Sequence, residues 1–242
     1  MSLFEGAIVV WSVSLDGEGA PEWLSSAERS RADAAINPAN RRRWMRGRAA
    51  LRHILGGYLE MDPAALVFIS EVHGKPRLEV GPKFNLSHCD DVMLVAVSAG
   101  AEVGIDVEQC GRLDADWRSV TRRVFSSTEL EELETIPKSQ QPAAALRGWV
   151  RKEAYAKARG VGLAYGFSSF TVKLDKSERA LSEGFLVCDD NDRDAVANWR
   201  LQDLDAPQGF IASLAFAGSS ASISYRSHAA LRLGQGFEPV DI

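Results

Sequence analysis

Apolar residues recur along this chain with two periods, and the switches between them mark its elements. Short runs rich in Val, Ile, Leu and Phe predict strands at 7–13, 66–72, 83–87, 92–98, 103–108, 169–174, 184–188, 197–203 and 210–216. The turn His73-Gly74-Lys75-Pro76 predicts a short return strand over 76–79, and Ser87–Asp91 reads as the loop between two strands. Helical spacing predicts helices over 24–36, 38–59, 116–124, 127–134 and 143–159. The second opens on Asn37 as N-cap with Pro38 behind it and stops at Gly56-Gly57, the fourth has Ser126 or Ser127 as cap, and the last stops at Gly160. From Ser219 onward the pattern is mixed and predicts no element.

The pattern also echoes itself. Trp44-x-Arg46-x-x-Ala49-x-x-Arg52 returns as Trp149-x-Arg151-x-x-Ala154-x-x-Lys157, and each copy precedes two apolar strands. The expectation is an α+β fold of two similar, pseudo-duplicated halves, 1–101 and 102–242, each an antiparallel sheet packed on a long helix. A site at their interface would draw arginines from the first helix and acids from the second. The alternative is a chance likeness of two amphipathic helices.

Composition narrows the class. With 45% apolar and 25% charged residues the chain is of ordinary globular make-up, and no apolar run is long enough for a membrane span. A net charge of −5 disfavours nonspecific nucleic-acid binding, which needs a basic field. Three scattered cysteines argue against a disulfide framework or a zinc site. With no basic, apolar leader at the start, this points to the cytoplasm. One basic block stands out: Arg41, Arg42, Arg43, Arg46, Arg48 and Arg52, with no acid among them.

The candidate chemistry lies in two segments. In Gly104-Ile-Asp-Val-Glu108, strand alternation puts Asp106 and Glu108 on one face and Ile105 and Val107 on the other. In the helix, Trp149, Lys152, Glu153, Ala156 and Lys157 share a stripe. Asp106, Glu108 and Glu153 could hold one Mg²⁺, a hard cation usually completed by waters and substrate phosphates. Lys152 and Lys157 would face those phosphates. Read blandly, the same residues are a solvated strand face and a salt-bridge ladder. Neither Gly-x-x-x-x-Gly-Lys-Ser/Thr nor Gly-x-Gly-x-x-Gly is present, so ATPase and dinucleotide readings are poor.

Taken together, Gly74-Lys75-Pro76, Phe84-Asn85-Leu86-Ser87-His88, Gly104–Glu108, Phe125–Glu129 and Trp149–Lys157 resemble the ordered motifs of the 4′-phosphopantetheinyl transferases, in particular the two-halved, surfactin-synthetase type. The likeness covers about residues 40–175. One departure is Cys89-Asp90, where the family often has Ser-Gly, and it places an extra carboxylate in a loop expected near pyrophosphate.

The resemblance implies Mg²⁺-dependent transfer of the phosphopantetheine arm of coenzyme A to a serine of an apo acyl or peptidyl carrier protein, with release of adenosine 3′,5′-bisphosphate. It implies a monomer with the coenzyme A 3′-phosphate bound by the first half and the metal by the second. Arg43 and Lys75 are the candidates for the 3′-phosphate, with Arg52, Pro76, Ser87 and His88 also lining coenzyme A. Lys157 would neutralise the leaving bisphosphate, and Lys152 would approach the α-phosphate or order Glu153. Glu153 or a water on the metal would take the serine proton. The carrier would dock within 109–130. Rival readings are another Mg²⁺-dependent phosphoryl or nucleotidyl enzyme, and a non-catalytic coenzyme A or carrier-protein binding module.

Overall fold

The structure, a computed structural model, describes residues 6–17, 19–113, 115, 117–162, 165–175 and 184–228. Eleven strands and six helices alternate among these residues. The strands are β1 (Ala7–Ser14), β2 (Phe68–Ser70), β3 (Pro76–Leu78), β4 (Lys83–Cys89), β5 (Val92–Ser98), β6 (Val103–Gln109), β7 (Phe170–Val172), β8 (Leu186–Asp189), β9 (Trp199–Leu204), β10 (Phe210–Ala217) and β11 (Ser222–His228). The helices are α1 (Ser26–Asp33), α2 (Pro38–Leu59), α3 (Trp117–Val124), α4 (Ser127–Thr135), α5 (Gln141–Arg159) and α6 (Ala195–Asn198).

One sheet runs β11-β1-β5-β4 and a second, antiparallel throughout, runs β6-β10-β9. Strand alternation gives the first sheet two different apolar faces. Val9, Trp11, Val13, Val95 and Val97 meet Leu51, Ile54 and Leu55 of α2. Ile8, Val10, Leu94 and Ala96 point the other way and pack on Val103, Ile105, Val107 and Leu214 of the second sheet. Helix α5 covers the far side of that second sheet through Ala154, Tyr155 and Ala158. The fold is therefore α+β, with two sheets joined by a shared core and a long helix on each outer face.

The start of α2 is as the sequence predicts: the Asn37 side chain accepts from the N–H groups of Ala39 (2.9 Å) and Asn40. Its end falls where the range 38–59 puts it, beyond the stop expected at Gly56-Gly57. The helix runs on to Leu59, and Glu60 closes it at φ 53°. Gly56 serves packing instead, since a Cβ there would lie 2.8 Å from the Met61 carbonyl oxygen. The loop expected at Ser87–Asp91 is a two-residue turn, because β4 continues to Cys89 and Asp90 adopts φ 50°. Asp tolerates that left-handed conformation better than most residues.

Strand β11 has no counterpart in the sequence reading. Its burial is mostly shallow, so its apolar pattern is faint. It lies parallel to β1, pairing Ala7 with Ser222 through Val13 with His228. Residues from far beyond position 101 thus complete the sheet of the first half.

Candidate active site

The site begins with a close approach. A Cβ on Gly104 would lie 2.1 Å from the Ala158 backbone nitrogen and 2.2 Å from the Ala154 carbonyl oxygen. Only glycine lets β6 lie directly on the backbone of α5. Two residues along the same strand face, Asp106 therefore meets the side chains that α5 carries beside Ala154 and Ala158.

Register is set by β4. The Asn85 side-chain oxygen accepts the Ile105 N–H at 2.9 Å, stitching β4 to β6 where no strand ladder joins them. Two positions on, Ser87 Oγ donates to Asp106 Oδ1 at 2.8 Å. Lys157 Nζ reaches the same oxygen at 2.6 Å and Ser87 Oγ at 3.1 Å. Asp106 is 3% exposed, and its Oδ2 is buried without a hydrogen bond. Glu108 Oε2 is likewise buried and takes no hydrogen bond. Arg112 Nη1 stands 3.2 Å from it, an ion pair whose alignment falls short of one.

The field in this corner favours protons on Glu108 and Glu153. Burial, and then the Asp106 charge, push the Glu108 carboxyl above the usual carboxylate range, although Arg112 and Lys157 oppose them. Burial drives Glu153 up to about 6, with Asp106 and Glu108 adding to the rise and Lys157 countering it. His88 lies on the more open face of β4, held below its ordinary value by partial burial and by the Lys157 ammonium.

The three acids offer oxygen donors only, and one oxygen each of Asp106 and Glu108 is buried without a hydrogen bond, which is the donor chemistry a hard cation prefers. Among the described residues no three acidic, histidine or cysteine side chains already close around one point. Asp106 and Glu108 are suitable donors by their chemistry, with Lys157 and Arg112 now paired to them, and Glu153 shares their field.

Three expected site residues are placed elsewhere. Lys152 is fully buried, paired with Glu129 at 2.8 Å and donating to the Phe167 carbonyl at 2.7 Å. Glu129 also closes the cap of α4 through Ser126 and accepts the Val172 N–H at 2.7 Å. The Lys152–Glu129 pair ties α5 to α4, with both side chains fully buried. Arg52 is 2% exposed and bonded to Glu28 and to the carbonyls of Pro63 and Leu66. The acid missing from the arginine block thus comes from α1, which also holds Arg48. Lys75 directs its ammonium to Glu102 (3.3 Å), the Val103 carbonyl (3.1 Å) and the Ala158 carbonyl (3.3 Å). These three acceptors match its three donors, so Lys75 staples the β2–β3 turn to β6 and α5. Pro76, the first residue of β3, fixes that turn. Arg43 is half-buried on α2 with no acceptor among the described residues.

What the sequence reading did not single out was Asn85 as the register pin and Arg112 as the partner of Glu108. The i, i+4 spacing of Glu108 and Arg112 was the available signal for the second.

A protein of Nostoc sp. strain PCC 7120, the 4′-phosphopantetheinyl transferase HetI, is 34% identical over 228 residues, which covers 90% of this chain and 91% of that one. The chain belongs to the 4′-phosphopantetheinyl transferase family. The pattern that describes the 4′-phosphopantetheinyl transferase superfamily matches residues 102–215, the span that holds β6 and α5. The 4′-phosphopantetheinyl transferase of Bacillus subtilis is 31% identical over 167 residues, 62% of this chain and 72% of that one. A solved holo-ACP-synthase from Plasmodium yoelii overlaps 50% of this chain and 99% of its own at 19% identity and a TM-score of 0.36, too loosely to argue from. Membership places the chain in an enzyme class, ahead of the reading as a passive binding module.

Proposed function

We propose that this enzyme transfers the 4′-phosphopantetheine arm of coenzyme A to a serine hydroxyl of an apo acyl or peptidyl carrier protein. The serine oxygen forms a bond to the phosphorus that carries the pantetheine arm. The bond from that phosphorus to the bridging oxygen breaks, and adenosine 3′,5′-bisphosphate leaves. The observation that carries this reading is the buried contact of Asp106 with Ser87 and Lys157, beside Glu108 and Glu153.

Mg²⁺ held by Asp106, Glu108 and Glu153 would neutralise pyrophosphate charge, the main need in phosphoryl transfer. Glu153, pushed up to about 6, is mostly ionised at neutral pH yet more basic than an ordinary carboxylate, which suits it to take the serine proton. Lys157 already lies among the acids and supplies positive charge for the leaving bisphosphate. His88, kept neutral, would donate a hydrogen bond to a phosphate oxygen. Arg43 is the remaining candidate for the 3′-phosphate, which a guanidinium can grip with two donors.

The carrier would dock on α3. Arg118, Arg122 and Arg123 line an open cleft of about 420 Å³ there, a basic face for an acidic partner. Two pseudo-duplicated halves, 1–101 and 102–242, would form the site between them within one polypeptide, acting as a monomer in the cytoplasm. Among the described residues, no helix is long and apolar enough to cross a membrane.

The test is to incubate the enzyme with coenzyme A, Mg²⁺ and an apo carrier protein and to read the carrier's mass. The expected result is a gain equal to one phosphopantetheine on the carrier serine, lost with Asp106→Ala. No mass gain with acyl or peptidyl carriers would reject the reaction. Arg43→Ala should narrow the preference for coenzyme A over dephospho-coenzyme A; an unchanged preference would remove Arg43.

A further inference from the structure

One charged side chain beside the acids has no place in that reaction. Arg112 lies in the turn after β6 and is 56% exposed, so packing does not demand it. Its Nη1 stands 3.2 Å from Glu108 Oε2 and 3.5 Å from Cys89 Sγ. On the neighbouring acid of the same strand face, Lys157 Nζ lies 2.6 Å from Asp106 Oδ1. Each strand carboxylate therefore has its own cationic partner: Lys157 sits on Asp106 Oδ1 and leaves the buried Oδ2 without a hydrogen bond, whereas Arg112 stands at Glu108 Oε2, itself buried and without one. Two carboxylates on one strand face would otherwise repel each other.

We propose that Arg112 is a positioning residue, a built-in counter-ion that holds Glu108 in the free enzyme and must give way when a divalent cation loads. This rests on the reading of Asp106 and Glu108 as cation ligands. Loading is then an exchange of one cation for another, which lowers intrinsic cation affinity. It also keeps Glu108 aimed into the site between turnovers. Because the guanidinium is exposed, it can leave without opening the core. Lys157 performs the same service for Asp106 from the helix side, but being part of the reaction it cannot be tested separately.

The experiment is Mn²⁺ binding to the full-length enzyme without coenzyme A, followed by the loss of the free-ion paramagnetic signal. Mn²⁺ takes the oxygen ligands that Mg²⁺ takes. Arg112→Gln should bind Mn²⁺ two- to fivefold tighter than the wild type, as expected when an exposed ion pair no longer competes. Arg112→Lys should stay near the wild type, and added salt should shrink the difference. Asp106→Asn, in either background, should lose the site. If Arg112→Gln binds Mn²⁺ no tighter while Asp106→Asn loses it, the counter-ion role is wrong and the metal site stands. If Asp106→Asn keeps full binding, the metal reading fails and this inference fails with it.

Discussion

Gly104→Ala is the sharpest test of how this site is assembled. The added methyl would sit 2.1 Å from the Ala158 nitrogen, whereas ordinary contact begins near 3.4 Å. The strand must therefore move off the helix by about 1.3 Å (3.4 − 2.1), since both obstructing atoms are backbone and cannot rotate aside. Overpacking of this kind costs typically 1–3 kcal/mol, and the rigidity of both surfaces puts this case near the top, about 3 kcal/mol. For a chain of this size that corresponds to a melting temperature lower by about 6–12 °C. The same shift would separate Asp106 from Lys157, now 2.6 Å apart. A misplacement of about 1 Å at a reacting centre can cost on the order of 10²-fold in rate. The assay pairs thermal unfolding with the mass-resolved rate of carrier modification. Gly100→Ala is the control, because a Cβ there meets nothing within 4 Å. If Gly104→Ala melts within 2 °C of the wild type and turns over normally, the close approach does not build the site.

Four further outcomes follow from the same geometry. Glu153 is raised from 4.5 to about 6, so protonation stabilises the folded state; that stability is fully present below 4.5 and lost as pH rises through about 6. Metal-free protein should thus lose about 2 kcal/mol between pH 4 and 7 at this group, and Glu153→Gln should flatten that slope in denaturant titrations. Asn85→Ala leaves the buried Ile105 N–H without its acceptor, so chemical denaturation should show a loss of about 1–3 kcal/mol, with slower turnover as register loosens. Lys152→Ala strands the buried Glu129 and should cost about 3–5 kcal/mol. Adding Glu129→Gln should return part of that stability, an outcome a phosphate-binding lysine would not give. Lys157→Ala should lower turnover at least tenfold with a smaller change in coenzyme A affinity; loss of stability alone would take Lys157 out of the chemistry.

The parts of the site that were legible in the sequence are those governed by local periodicity. Alternation along 103–108 separated Asp106 and Glu108 from the core residues beside them, and the structure keeps that division. Helical spacing likewise brought Glu153 and Lys157 to one side. It misplaced Lys152, because consecutive helix residues diverge by about 100° and a stripe containing both 152 and 153 is too wide to face one ligand. The family resemblance assigns Lys75 to phosphate and Arg52 to the coenzyme A lining, with a structural salt bridge as the alternative for Arg52; the acceptors found for both are distant in sequence. Glu28 comes from α1, and the Ala158 carbonyl belongs to the end of α5, where unpaired carbonyls attract an ammonium. No local pattern reports such partners. Strand β11 escaped for a related reason: a lightly buried edge strand carries little apolar alternation, and its pairing is decided by a sheet built long before it in the chain.

That late pairing sets a clock on biogenesis. Ala7 and its partner Ser222 are separated by 215 residues (222 − 7). At the usual pace of translation, about 5–20 residues per second, roughly 10–40 s pass between their syntheses. Throughout that interval β1 has no partner on the side that β11 will take, and the nascent chain carries an open sheet edge of the kind other strands can add to. The ribosome thus carries a sheet that can pair with a neighbouring nascent chain before its own last strand arrives. Rapid, crowded expression is the condition under which that competition would be felt most.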